Sequence, residues 1–195
     1  MKLGIVSDVH CNPRALGEAL RLMRDADRFL CLGDSIYEYR FCDETVDLLR
    51  RHDVLTIRGN HEEVYFGPHG ARARAHRPPD PGLAAWLDGQ PHTRMIELDG
   101  CRIQMVHATP WPPYREYVLP TSDTFPQLAE SGADIVLYGH THHAVARRVG
   151  DALIVNPGSA GEARGVGENA FVSCAMLDTA SREVEFLRFA DPSKA

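Results

Sequence analysis

The stretch KLGIVSDVHCNPRALGEALRLMRDADRFLCLGDS, residues 2–35, decides the fold. It opens on an apolar run, Lys2 to Ser7, that stops at Asp8-Val9-His10. A short continuous apolar run bounded by turn residues reads as a buried strand. Asn12 then offers a side-chain cap, Pro13 takes the first helical position, and Leu16, Ala19, Leu20 and Met23 follow at helical spacing. A second apolar run, Phe29 to Leu32, stops at Gly33-Asp34. Strand, helix, strand is the unit that pairs strands in parallel, and in such sheets ligands sit beyond the carboxyl ends of the strands.

The same alternation continues. Cys42 to Arg51 carries Val46 and Leu49 on a helical face, and Val54 to Ile57 predicts a third strand that stops at Arg58-Gly59-Asn60-His61. The stretch 67–91, rich in Pro, Gly, Arg and His, reads as a surface loop excursion with one short helix at Pro81 to Leu87. Past it, Met95 to Leu98 and Arg102 to Val106 flank Asp99-Gly100, a strong hairpin signal. Trp111 to Pro126 is a proline-broken loop, and Ile135 to Tyr138 is a buried strand that runs into Gly139-His140. Two more hairpins are expected, at Val145 to Val149 with Ala152 to Val155, and at Phe171 to Leu177 with Val184 to Phe189. The second sheet is therefore expected to be largely antiparallel and to pack face to face on the first, with helices outside. No repeat, low-complexity tract or linker interrupts the chain, so 1–195 reads as a single domain.

The chain has 195 residues, 44% hydrophobic and 25% charged, as expected for a globular protein. Its formal net charge of -6 disfavours broad binding to a nucleic-acid backbone, which needs clustered Lys and Arg. It does not disfavour a phosphorylated substrate, because bound metals invert the local field. Cys11, Cys31, Cys42, Cys101 and Cys174 form no Cys-x-x-Cys pair, and Cys31 and Cys174 lie inside apolar stretches as core residues. No apolar run has the length of a membrane span, and the N-terminus reads as a strand rather than a signal peptide, so a cytoplasmic location is expected.

Five motifs now stand in one order: Asp8-Val9-His10, Gly33-Asp34, Gly59-Asn60-His61-Glu62, Val106-His107 and Gly139-His140-Thr141-His142. A lone Asp at a strand end is usually a cap, and a lone buried His is usually a satisfied core residue. Together they place two aspartates, one asparagine and five histidines at successive strand tips. Hard oxygens and imidazoles suit a pair of divalent metals acting on a phosphoester. Asp34, central in the set, is the candidate bridge between two cations. Asp8 and His10 alternate along what reads as an extended segment, so both face one metal, while His140 and His142 serve the two metals separately. His61 points away if Asn60 faces a metal, and is free to protonate a leaving alcohol. Arg72, Arg74, His76 and Arg77 read first as a solvated loop and second as substrate phosphate contacts, with Arg72, Arg74 and Arg77 the residues concerned.

With these motifs the chain resembles the calcineurin-like metallophosphoesterases, and within them the small YfcE-like phosphodiesterases. Arg58-Gly59-Asn60-His61-Glu62, Leu137-Tyr138-Gly139-His140-Thr141-His142 and Asn156-Pro157-Gly158-Ser159 carry the resemblance, which spans nearly the whole chain. It implies an α/β fold, a four-layer α/β/β/α sandwich of two mixed sheets flanked by helices. It implies one metal on Asp8, His10, Asp34 and His142 and another on Asp34, Asn60, His107 and His140. A hydroxide between them would attack phosphorus in line, with His61 as the acid on the leaving group. The two divalent transition metals would come from Mn, Fe, Ni, Co or Zn, with Mn preferred. Two departures stand out: Cys11 replaces a glycine beside a ligand, and Tyr37-Glu38-Tyr39-Arg40 replaces the usual Gly-Tyr-Gly-Pro. Glu62 stands where Asp is commoner and is expected to change little. The expected activity is a phosphodiesterase or phosphatase on a small or exposed phosphoester. The alternatives are a nuclease, or a non-catalytic interaction scaffold of the same fold, which need not keep His61 and every ligand.

Overall fold

Three strands, β1 (Lys2–Val6), β2 (Arg28–Cys31) and β3 (Leu55–Thr56), are joined by α1 (Pro13–Leu22) and α2 (Asp43–Arg51) in the computed structural model, which describes residues 1–112, 114–165 and 167–194. They pair in parallel, β1 with β2 and β2 with β3. Helix α1 starts where the sequence places it: the Asn12 side chain accepts from the Ala15 N–H at 3.1 Å, and Pro13 needs no acceptor. Its buried residues Ala15, Leu16, Ala19 and Leu20 form one stripe. Then come α3 (Asn60–Phe66), α4 (Ala71–His76) and α5 (Pro81–Asp88), followed by β4 (Thr93–Leu98), β5 (Cys101–Val106), β6 (Ile135–Leu137), β7 (Val145–Val149), β8 (Ala152–Asn156), β9 (Val172–Asp178) and β10 (Val184–Phe189).

The strands make two mixed five-stranded sheets, ordered β10-β9-β1-β2-β3 and β4-β5-β6-β8-β7. Alternation along each strand sorts side chains between two layers. Leu3, Ile5, Leu30, Leu32 and Ile57 of the first sheet meet Ile103, Met105, Ile135, Leu137, Leu153 and Val155 of the second in a shared core. On the outer face of the first sheet, Val6, Cys31 and Cys174 pack against Leu16 and Ala19 of α1, Met23 just past its end, and Leu49 of α2. On the outer face of the second, Val136, Tyr138 and Ile154 are covered by Val118, Phe125 and Leu128. That fourth layer is a loop and a 3-10 helix, Phe125–Ser131, which makes it thinner than the first. Among the described residues no helix is long and apolar enough to cross a membrane.

Three sequence expectations change. The second sheet is mixed, not largely antiparallel: β5, β6 and β8 run parallel, and only the β4–β5 and β7–β8 hairpins are antiparallel. The hairpin β9–β10 joins the first sheet, where β9 pairs antiparallel with β1. Turn residues announce hairpins, as Asp99 and Gly100 do with φ of 54° and 74°, but the neighbour a hairpin selects is a long-range choice that no local signal carries. Finally, 67–91 is built from helical pieces rather than a loop, and Leu83 and Leu87 of α5 pack with Val46 and Tyr65.

Candidate metal centre

Each strand tip turns sharply into the site. Asp8, His10, Asp34, His140 and His142 all hold positive φ, between 49° and 64°. A non-glycine residue pays about 1 kcal/mol or more for that region, and such strain clusters at functional sites. The expected extended alternation of Asp8 and His10 is therefore wrong. Both are left-handed, and the turn sends Val9 into the core behind them. Two glycines make room: a Cβ on Gly59 would collide with Asp34 Oδ1, and one on Gly139 with Ser7 Oγ.

The tips converge as the sequence order requires. Ligand atoms of Asp8, His10 and His142 lie within 4.8 Å of one another, as do those of Asp34, His107 and His140, and those of His10, Asp34 and His61. His142 Nε2 is 3.2 Å from Asp8 Oδ1 and 3.1 Å from His10 Nε2. His107 Nε2 is 3.2 Å from Asp34 Oδ2 and 3.0 Å from Asn60 Oδ1. His140 and His142 thus fall in separate groups, and Asp34 belongs to two. His61 turns away from Asn60 toward His10, with Nε2 3.6 Å from Asp34 Oδ2.

Electrostatics shows why this cluster needs a cation. Asp8 and Asp34 are buried, yet both carboxyls sit below their usual range: burial pushes each up, and His142 beside Asp8 and His107 beside Asp34 overcome it. Burial alone would lower His107, but Asp34 holds it up at about 10. Burial, then the His107 charge, pushes His140 down to about 4. One histidine proton therefore sits where a cation would neutralise the same carboxylate. His10 Nδ1 is buried with no hydrogen-bond partner among the described residues, and Asp8 Oδ1 is buried with only the His142 ring, Nε2 at 3.2 Å, to meet its charge. An ionised oxygen left so costs several kcal/mol unless a cation meets it. Oxygen and imidazole donors in this number fit divalent transition metals.

The supporting residues were mostly missed by sequence reasoning. Glu62 is fully buried and accepts four backbone N–H groups: Asp34 (2.9 Å), Ser35 (2.6 Å), Ile36 (3.2 Å) and Gly59 (2.7 Å). It ties the Asp34 turn to the start of α3. Burial and Asp34 push its carboxyl up to about 7. The departing loop is also part of the site. Tyr37 stacks on His10 with ring centroids 5.0 Å apart and donates to Glu162 (2.7 Å), while Glu38 Oε2 lies 2.8 Å from His61 Nδ1. Ser159 donates to the Asp8 carbonyl (2.8 Å) and Asn156 to the Gly139 carbonyl (2.7 Å), so Asn156-Pro157-Gly158-Ser159 braces two ligand turns. Cys11 donates to the Arg40 carbonyl (3.1 Å), and Cys42 and burial hold its thiol up. Arg74 is committed to the Tyr65 and Gly67 carbonyls at the end of α3, and Arg72 and Arg77 are exposed.

Comparison with known proteins agrees with this geometry. The calcineurin-like phosphoesterase superfamily domain matches residues 1–182, and the chain belongs to that family. It is 25% identical to a phosphodiesterase of Methanocaldococcus jannaschii over 165 residues, 81% of this chain and 83% of the relative. A crystal structure of a metallophosphoesterase from Sphaerobacter thermophilus superposes with a TM-score of 0.75 at 23% identity, covering 98% of this chain and 89% of the other. The YfcE phosphoesterase of E. coli shares the fold at TM-score 0.58 and 23% identity, covering 98% and 100%.

Proposed function

We propose that this protein is a dinuclear, divalent-metal-dependent phosphodiesterase acting on small or exposed phosphoesters. The observation that carries the reading is the chain of ligand groups: Asp34 shares one with His107 and His140 and another with His10, which itself shares one with Asp8 and His142, and this supports Asp34 as the carboxylate between two cations. Asp8, His10, Asp34 and His142 would hold one metal, and Asp34, Asn60, His107 and His140 the other. Metals bound there would polarise phosphoryl oxygens and make a water nucleophilic near neutral pH. Mn is preferred among Mn, Fe, Ni, Co and Zn. The name of the M. jannaschii relative supports a diester substrate.

The chain's own residues do the rest. Tyr37 and Glu162 fix the rings of His10 and His142 from behind. The Glu38 backbone N–H donates to His61 Nδ1 (3.1 Å), which leaves the ring proton on Nε2, where it can pass to the departing oxygen. The site keeps His61 and every candidate ligand, which favours an enzyme over a docking scaffold. The test is metal analysis by mass spectrometry together with hydrolysis of bis(p-nitrophenyl) phosphate in each metal. The expected result is two metals per chain and turnover, highest in Mn. One metal or none, with no turnover in any metal, overturns the reading.

A further inference from the structure

The turn Tyr37-Glu38-Tyr39-Arg40, where this chain departs from its relatives, closes on the metal centre. Tyr37 and Arg40 exchange two backbone hydrogen bonds (3.1 and 3.2 Å), and the turn lays the Arg40 guanidinium over the Tyr37 ring, 4.7 Å from its centroid. That ring stacks on His10, centroids 5.0 Å apart, and lies 5.8 Å from the ring of His61. A long exposed side chain usually keeps many rotamers, but this one is held by the stack and by a contact to the His10 carbonyl (3.4 Å). A guanidinium carries five N–H donors. Among the described residues that carbonyl is the only acceptor the Arg40 side chain meets.

Two hollows share Tyr37 and Arg40. One, of about 420 Å³, adds Glu38, Tyr39 and His61. The other, of about 570 Å³, adds His10 and sets Arg14 and Lys194 near Glu44, Glu162 and Asp191. The acids are engaged. Glu162 accepts from Tyr37 (2.7 Å) and faces His142 (3.5 Å), and buried Asp191 accepts from Asn12 (3.0 Å) and Ser193 (2.7 Å). Glu44 stands in the first turn of α2, where the helix dipole answers its charge. The cations are not engaged: among the described residues Arg14, Arg40 and Lys194 form no ion pair with a carboxylate. In the smaller hollow Glu38 lies against His61 (2.8 Å), so Arg40 is the unmatched charge there too. Both hollows therefore favour an anion, and both lie on the side of the centre where His10 and His61 stand.

We propose that Arg40, with Arg14 and Lys194 across the larger hollow, holds a second phosphate on the leaving side of the scissile phosphorus. The substrate class is then a phosphodiester whose leaving group itself carries a phosphate. A planar guanidinium fork matches phosphate oxygens, and three cations suit a dianion better than a single carboxylate. The inference rests on the phosphodiesterase reading, in which the leaving group departs on the His61 side, next to Tyr37 and Arg40.

The test uses three methyl aryl phosphates that differ only in the leaving phenol: 4-ethylphenol, 4-(2-carboxyethyl)phenol and 4-(2-phosphonoethyl)phenol. Each charge sits at the end of a two-carbon arm, so the phenols are matched in acidity, and the C–P bond is not an ester. In each substrate a water oxygen bonds to phosphorus and the bond from phosphorus to the phenol oxygen breaks. That oxygen takes the Nε2 proton of His61, and the water proton restores it through solvent. Wild-type kcat/KM should be about 10-fold or more higher for the phosphonate ester than for the ethyl ester, with the carboxylate between, the scale of one charged hydrogen-bonded contact. Added salt should shrink the advantage. Arg40→Lys should keep part of it, Arg40→Ala should remove most of it, and Arg40→Glu should turn it into a preference for the ethyl ester. A role confined to bracing Tyr37 would slow all three esters together and leave their ratio alone. A wild-type ratio near one, a carboxylate ester as good as the phosphonate, or a ratio that survives in Arg40→Ala and Arg40→Glu overturns the proposal. In parallel, 4-(2-phosphonoethyl)phenol is titrated into the metal-free protein by calorimetry, and its binding should be lost in Arg40→Glu. If bis(p-nitrophenyl) phosphate is not hydrolysed with any metal, the phosphodiesterase reading fails and this titration decides alone. Binding that depends on Arg40 supports the phosphate position, and binding that ignores Arg40, or none, overturns it.

Discussion

Replacing Glu62 by Gln should destabilise the protein by about 3 kcal/mol although the two side chains have the same shape. Glu62 Oε1 accepts from Ser35 and Ile36, and Oε2 from Asp34 and Gly59. A carboxamide nitrogen has no acceptor lone pair, so either orientation of Gln turns two of these four buried N–H groups against another donor. Each stranded N–H costs about 1–3 kcal/mol. The figure applies below about pH 4.5, where the wild-type carboxyl is protonated in the folded and unfolded states alike and has no repulsion with Asp34 to relieve. For a domain of this size about 3 kcal/mol corresponds to a Tm lower by roughly 6–12 °C, measured by thermal unfolding of the metal-free protein.

The pH dependence checks the same account. The folded pKa of Glu62 lies above its ordinary 4.5, so its stabilising contribution is complete below about pH 4.5 and is lost as the pH rises through about 7. The gap between wild type and Glu62→Gln should therefore narrow over that window by up to about 3 kcal/mol. Added divalent metal should flatten the slope by cancelling the Asp34 charge. A Tm within 2 °C of wild type at both ends of the range would refute the reasoning.

Other outcomes follow from the same geometry. Asp34→Asn should lose both metals with the fold largely kept; two metals retained per chain would show that the bridge is misassigned. His61→Ala should leave metal content intact and cut kcat by about 10²–10⁴ for alkyl leaving groups and less for nitrophenolate, whereas an equal loss on both would point to contact with phosphoryl oxygens. Because His107 is raised to about 10, it is protonated in the metal-free protein at pH 8 and must release that proton to bind a metal. Calorimetry in buffers of differing ionisation enthalpy should register about one proton released, and metal affinity should climb with pH toward 10; no proton release at pH 8 contradicts the Asp34–His107 pair. Arg74→Ala should lower stability by about 1–2 kcal/mol through its freed carbonyl partners, while Arg72→Ala and Arg77→Ala should leave Tm unchanged and, if those side chains hold substrate, raise KM.

The ligands were legible because chemistry and topology use the same punctuation. His107 follows its strand directly and Asp8, Asp34, Asn60 and His140 stand in the turns just past theirs, so finding the strand end finds the ligand. The partners that orient them were not legible, because each arrives from elsewhere: Glu162 reaches His142 across 20 positions and His10 by way of Tyr37, and Glu38 reaches His61 across 23. No periodicity marks such a residue, since its position is set by the fold and not by its neighbours in sequence. The same limit explains the sheets. β5 and β6 are neighbours in space but are separated by a long irregular connection, so their parallel pairing has no turn to announce it.

Glu62 is a different kind of miss, because its signal was present and was read at the wrong level. An acid three positions beyond Gly59 is the spacing of a helix start, and its Oε2 does accept the Gly59 N–H. In the sequence Arg58-Gly59-Asn60-His61 reads only as the end of the third strand, so α3 goes unseen, and with it the reason for an acid at that place. Once the helix is drawn, the remaining oxygen capacity of Glu62 has to go somewhere, since a fully buried carboxylate needs more than one donor. The N–H groups of the Asp34 turn are the donors it meets. The residue that starts the helix therefore also fixes the candidate bridging carboxylate, and the helix start and the geometry of Asp34 are one constraint, which Glu62→Gln breaks at both ends.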